Sequence, residues 1–143
     1  MLNSDSFRDI EAAILAGGEN KRFDGKIKAN MRVGELTIIE KTLNILDPIF
    51  SRTIIVTNYP EKFRELHSYL QVEDIYRGVG PLGGIHSALT NSKADLLFIV
   101  ASDMPELSGF LIQQMKEYFL LADCEVLVPR FNNKIEPLHG FYK

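Results

Sequence analysis

Three short segments of this chain combine residue types suited to phosphate and metal. The first is LAGGENKRFDGKIKAN, residues 15–30. Gly17 and Gly18 remove side chains where the backbone must turn sharply or come close to a ligand. Successive N–H groups in such a turn can cradle phosphate oxygens. Lys21, Arg22, Lys26 and Lys28 then fall within eight residues, against Glu19 and Asp24. Arginine and lysine make charge-assisted bonds to phosphate, so a polyphosphate is the simplest ligand for the pattern. A solvated surface loop is the alternative. The second segment is Asp74 followed by GVGPLGG, residues 78–84, with four glycines in seven positions. A plain turn needs one or two, and ordering four costs conformational entropy. Close approach of backbone to a flat or extended ligand accounts for the surplus; an irregular loop leading to a helix at 85 is the alternative. The third segment is SDMP, residues 102–105. Asp103 follows an apolar strand, where a carboxylate can hold Mg²⁺, an ion that takes one or two carboxylates plus substrate phosphates. Pro105 fixes the turn, and a turn or cap role for Asp103 is the alternative.

Other chemistry finds little support. The dinucleotide fingerprint GxGxxG does not follow the first strand, and GxxxxGK[ST] fails because Gly25-Lys26 is followed by Ile27. His67, His86 and His139 show no metal-ligand spacing and read as structural. Cys124 reads as a small buried hydrophobe. There is no GxSxG nucleophile elbow.

The elements that must position the three segments alternate between two periods. Short apolar runs at 12–16, 52–58, 94–102 and 124–129 predict buried strands, with a weaker one at 71–76. Helical spacing marks 37–46, 60–70 and 108–121, and a further helix follows the glycine loop at 85. The final IEPLHGFYK also looks like a strand. Strand–helix alternation with continuous apolar strands predicts an α/β fold: a doubly wound, mainly parallel sheet with helices on both faces. Ligands bind such sheets beyond the carboxyl ends of the strands. That points to the residues just after 16, 58, 76, 102 and 129.

Composition narrows the class further. With 143 residues, one domain with its own core is expected. The net charge of -3 gives no general attraction to nucleic acid or an anionic membrane. One cysteine precludes an intrachain disulfide and suits a reducing cytoplasm. No apolar run reaches membrane-spanning length, and the polar start MLNSDSFRDIE is not a signal peptide.

Taken together, LAGG (15–18) with Arg22-Phe23 and Lys28, then GPLGGI (80–85), then Asp103 in DMP, resemble the nucleotidyltransferases similar to molybdenum cofactor guanylyltransferase. EPLHGFY (136–142) is similar to a later strand of that family, so the resemblance runs from about 12 to 142. It implies a Rossmann-like nucleotidyltransferase domain with a nucleoside triphosphate at the first strand end. It further implies that Leu15, Ala16, Gly17 and Gly18 contact the nucleotide and that Arg22 and Lys28 neutralise its phosphates. Asp74 would serve the base or ribose side, Gly80, Pro81 and Leu82 would line the base pocket, and Asp103 would hold Mg²⁺. The residue before the family lysine is usually Asp and here is Ile27, so Lys26 competes for the phosphate role; spacing favours Lys28.

The implied reaction is transfer of GMP from GTP to molybdopterin, with pyrophosphate released. Partners would be these small molecules and other molybdenum cofactor proteins, with no nucleic acid and no membrane. Members of the family run on past the position of Lys143 with a further acidic motif, so a single domain lacking a C-terminal segment is expected. Cytidylyl or sugar-1-phosphate transfer on the same scaffold, and nucleotide binding without catalysis, are the alternatives.

Overall fold

A computed structural model describes residues 9–18 and 26–143; Arg22 lies outside them. The first strand, β1 (Ile10–Leu15), is followed after the undescribed stretch by a single 3₁₀ turn at Lys28–Asn30 and a small hairpin, β2 (Arg32–Val33) and β3 (Leu36–Thr37). Helix α1 (Ile38–Leu46) starts where sequence chemistry dictates. Thr37 is its cap: the Thr37 hydroxyl accepts from the Glu40 N–H, and the Glu40 carboxylate accepts from the Thr37 N–H at 2.7 Å. This reciprocal box satisfies two donors a helix start leaves orphaned. The Thr37 N–H, together with the Thr37 hydroxyl donating to the same carboxylate at 2.9 Å, holds the Glu40 carboxyl below its ordinary pKa. The helix buries Ile38, Ile39, Leu43 and Leu46.

Strand β4 (Thr53–Val56) comes next, then a 3₁₀ segment at Pro60–Leu66 and β5 (Leu70–Val72). A regular helix is predicted at 60–70, but Phe63 leaves helical geometry (φ -123°, ψ 29°) and is buried. The Gln71 side chain donates to the Phe63 and Leu66 carbonyls instead, holding the kinked segment against β5. The strand predicted at 71–76 stops at Val72, because the Asp74 N–H turns to the Asn58 side chain at 3.0 Å.

Helix α2 (Pro81–Asn91) begins four residues earlier than the sequence suggests. Gly80 precedes it at φ 66°, ψ -150°, a conformation open in practice to glycine. Pro81 sits at the first helical position, where no N–H is needed. Then come β6 (Leu96–Ala101) and α3 (Gly109–Leu121), the latter capped by Ser108. The strand predicted over 124–129 is only β7 (Val126–Leu127). A hairpin of β8 (Arg130–Phe131) and β9 (Lys134–Ile135) turns through Asn132 and Asn133, both at positive φ, as tight hairpin turns require. The last strand is β10 (His139–Tyr142).

The sheet order is β5-β4-β1-β6-β10-β7. β5, β4, β1 and β6 pair in parallel, and β10 enters antiparallel between β6 and β7. Alternate residues of each strand face opposite layers. Ala12, Ile14, Phe98 and Val100 join Leu43, Leu46, Ile112, Met115 and Phe119 from α1 and α3. Ala13, Ile54, Val56, Leu97 and Ile99 face α2 through Ala88. Helices therefore cover both faces, as a doubly wound sheet requires. Among the described residues no helix is long and apolar enough to cross a membrane.

Candidate functional site

From β1 the chain moves outward to β4 and β5, and α2 then returns it to β6 on the other flank of β1. The connections diverge between β1 and β6, the switch point at which open sheets of this type leave a crevice. The backbone there is well tied: the Ala16 N–H donates to the Val56 carbonyl at 2.7 Å, and the Ser102 N–H to the Leu15 carbonyl at 3.1 Å. Beyond these strand ends lies a cavity of about 590 Å³, a size suited to a small-molecule ligand.

Most of the residues singled out in the sequence meet in this cavity. Leu15, Ala16, Gly17 and Gly18 form its floor at the end of β1; Lys28, Asp74, Gly80, Pro81 and Asp103 line it as well. Lys28 Nζ stands 3.8 Å from Asp103 Oδ2, so the cation and the carboxylate expected at phosphate and metal face each other. Lys26 is exposed and does not line the cavity. Leu82 is not brought in: its side chain is 72% exposed on the outer surface of α2, and it does not line the cavity.

Two of the four loop glycines are needed for packing, and Gly84 lines the cavity as well. Gly83 and Gly84 lie in the first turn of α2. A Cβ on Gly83 would sit 2.6 Å from the Tyr76 carbonyl oxygen, and one on Gly84 would sit 3.2 Å from Leu15 Cδ2. Their absence of side chains lets the preceding loop and β1 close on the helix. The loop is pinned further by the Ile75 N–H, which donates to the buried Ser87 hydroxyl at 2.8 Å.

Sequence reasoning missed Asn58. It follows β4 and pairs reciprocally with Asp74: Asn58 Nδ2 donates to Asp74 Oδ2 at 3.0 Å, while the Asp74 N–H donates to Asn58 Oδ1. This clamp fixes the Asp74 carboxylate beside Gly17. The strand-end rule already indicated position 58, but only the pairing of β4 with β5 shows its partner. Tyr59, Arg77 and Ser102, each at a strand end that the sequence indicates though not named there as site residues, also line the cavity.

The chemistry available is therefore divided along the cleft. A cation and a carboxylate stand beside β6, glycine backbone lies in the middle, and a clamped carboxylate stands beyond β5. Among the described residues no group of three or more His, Cys, Asp or Glu could hold a metal ion. Asp103 offers one carboxylate in the cleft, enough for Mg²⁺ only when ligand phosphates complete its shell. Away from the cleft, His139 is buried against Phe98, and burial pushes its pKa down. No hydrogen-bond partner for its Nδ1 occurs among the described residues. The sequence reading of His139 as structural accords with this placement.

A doubly wound sheet with a glycine-floored cleft at its switch point, cation and carboxylate opposed, has the architecture of a nucleotide-handling α/β domain. The chain belongs to the MobA-like NTP transferase domain family, whose profile matches residues 12–143. It is 38% identical over 133 residues to a "Probable molybdenum cofactor guanylyltransferase" of Clostridium perfringens, covering 92% of this chain and 65% of that protein. It is 34% identical over 131 residues to the molybdenum cofactor guanylyltransferase of Syntrophotalea carbinolica, covering 92% and 61%. The fold matches the crystal structure of molybdopterin-guanine dinucleotide biosynthesis protein A from Archaeoglobus fulgidus with a TM-score of 0.74 at 27% identity, covering 92% and 66%. The chain thus spans a little under two-thirds of the length of these curated relatives.

Proposed function

We propose that this domain binds GTP in the cleft and transfers GMP to a phosphate of molybdopterin, releasing pyrophosphate. The observation that carries the reading is the opposition of Lys28 and Asp103 beside the glycine end of β1, in one cleft with Asp74. The names of the relatives supply the acceptor and the base. An acceptor phosphate oxygen attacks the α-phosphorus, the bond from that phosphorus to the bridging oxygen breaks, and pyrophosphate departs with the electron pair. The nucleophile is already anionic, so the protein's contribution is positioning and charge neutralisation. Backbone at Leu15–Gly18 approaches the nucleotide, Lys28 offsets charge on the departing phosphates together with Arg22, and Asp74 serves the base or ribose. Asp103 would hold Mg²⁺, which supplies Lewis-acid stabilisation of phosphate oxygens. The setting is the cytoplasm, alongside other proteins that handle the molybdenum cofactor.

A thermal-shift panel of GTP, CTP, UTP and ATP with Mg²⁺, followed by pyrophosphate release with GTP and molybdopterin, tests the reading. GTP should stabilise most and pyrophosphate should form. Stabilisation by CTP instead would move the activity to cytidylyl transfer, and no stabilisation by any nucleotide would sink it.

A further inference from the structure

The cleft carries a cation at each end, and only one of them is accounted for. Lys28 faces Asp103 beside β6, whereas Arg77 lines the opposite end, three residues beyond Asp74 on the connection from β5 to α2. Asp74 and Arg77 follow β5, on one flank of β1, whereas Asp103 follows β6 on the other. A triphosphate held at Lys28 and Asp103 therefore leaves the other end for the base. Arg77 and Asp74 both line the cleft after β5, and a carboxylate repels phosphate. A guanidinium and a carboxylate together present donors and acceptors to an uncharged ligand edge.

The platform is fixed. Asn58 clamps Asp74 through two hydrogen bonds, Ile75 is held by Ser87, and the Tyr76 carbonyl abuts Gly83. Gly78, at φ 79°, then turns the chain away. Arg77 Nη2 is held by Glu73, four residues back on the same loop, with side chains 65% and 50% exposed. That contact uses one of five N–H donors and leaves the rest of the fork available. An exposed pair of this kind is readily shared with an incoming ligand.

We propose that Arg77 is a base-specificity residue, donating to O6 of a guanine whose N1–H and 2-amino group donate to Asp74. The inference rests on the nucleotide reading above and adds the residue that distinguishes the base. Guanine presents an acceptor at O6 where adenine and cytosine present an amino group. Opposite a guanidinium, which has no acceptor, an amino group would leave both donors unpaired. Uracil presents a carbonyl but lacks the 2-amino group for Asp74.

The test is calorimetric titration of the whole chain and its Arg77→Ala variant with GTP, ITP and 2,6-diaminopurine riboside triphosphate. The last keeps the 2-amino group but replaces O6 by an amine and N1–H by an acceptor nitrogen; ITP keeps O6 and N1–H and loses the 2-amino group. The native protein should prefer GTP to the diaminopurine nucleotide by roughly tenfold or more. Arg77→Ala should bind GTP and ITP more weakly in parallel while binding of the diaminopurine nucleotide is not weakened, so the preference narrows; the part that remains is the N1–H bond to Asp74. The side chain is largely exposed, so the variant should fold normally. A uniform loss across all three nucleotides would mark a phosphate contact, and no change would mark an idle surface residue; either overturns the proposal while leaving the nucleotide reading intact. Failure of the native protein to bind any of the three would overturn that reading itself.

Discussion

Removing the charge of Glu11 should cost this domain about 2–3 kcal/mol, and the structure shows why. Glu11 lies in β1 at the end of the sheet opposite the cleft and is only 5% exposed. Its carboxylate accepts from Arg52 Nε at 2.9 Å and Nη2 at 3.0 Å, from the Ser92 hydroxyl at 2.7 Å and from the Lys93 N–H at 3.0 Å. Arg52 leads into β4, while Ser92 and Lys93 lie between α2 and β6. One carboxylate thus ties β1 to both of its neighbours. Glu11→Gln keeps the volume but accepts at one atom only; with its oxygen in the Oε2 place the Arg52 Nε bond loses its acceptor, and the other three become bonds to a neutral group. Hydrogen bonds to a charged group contribute about 1.5–3 kcal/mol each; Arg52, partly exposed, recovers some of the loss through water. For a domain of this size the loss lowers Tm by roughly 5–10 °C.

Acid supplies an independent check on Glu11. Burial by itself raises the carboxyl pKa, but the bonds from Arg52, Ser92 and Lys93 outweigh it and hold it below the ordinary 4.5. A depressed folded pKa contributes stability in full above the unfolded value, and that contribution is lost as pH falls through the folded value. The gap between native and Glu11→Gln proteins, measured by urea unfolding, should therefore be widest near pH 7 and shrink below about pH 4.5. Nucleotide affinity should not change, since the cleft is at the other end of the strands. A variant melting within about 1 °C of native, or a gap that persists unchanged in acid, would refute the reasoning.

Three further outcomes are expected. Gly83→Ala gains about 1 kcal/mol in helix propensity, but its Cβ would meet backbone at 2.6 Å and displace the loop carrying Asp74; a net loss of about 1–2 kcal/mol with weakened nucleotide binding should follow, and a variant as stable and as tight-binding as native would contradict the packing role. Lys28→Ala should weaken nucleotide binding roughly tenfold to a hundredfold, and Lys26→Ala should leave it near native; the opposite order by calorimetry would show that the wrong lysine faces the phosphates. Burial keeps the His139 pKa below 6.5, despite opposing pulls from its own backbone and Glu136. The unfolded chain then binds more protons in the window just below 6.5, so stability should fall as pH drops through it, and His139→Leu should flatten that slope; an unchanged slope in urea unfolding between pH 7 and 5.5 would count against the assignment.

Much of this domain is legible along the chain because the relevant forces are local. Short continuous apolar runs bounded by turn residues read as strands buried on both faces, and the 10–15 and 96–101 segments are such strands. Thr37 with Glu40 starts α1, and Ser108 starts α3, through side chains three residues from the groups they satisfy. The glycine, lysine and aspartate at strand ends read as a phosphate-handling surface before any neighbour is known.

What the sequence does not decide is who stands beside whom. Asn58 and Asp74 are sixteen residues apart and meet only because β4 pairs with β5. Lys28, rather than Lys26, enters the cleft because the 3₁₀ turn sets its direction. The glycines at 83 and 84 read as a ligand loop, yet the helix starts at Pro81 and uses them to approach Tyr76 and Leu15. Leu82, one position away, turns to solvent on the same helix. Local propensity and hydrophobic period are written into consecutive residues, whereas strand order and close backbone approach arise from crossovers and packing between distant ones. The sequence alone therefore determined the kinds of group this protein holds at its strand ends, and the tertiary structure decided which of them share a cleft.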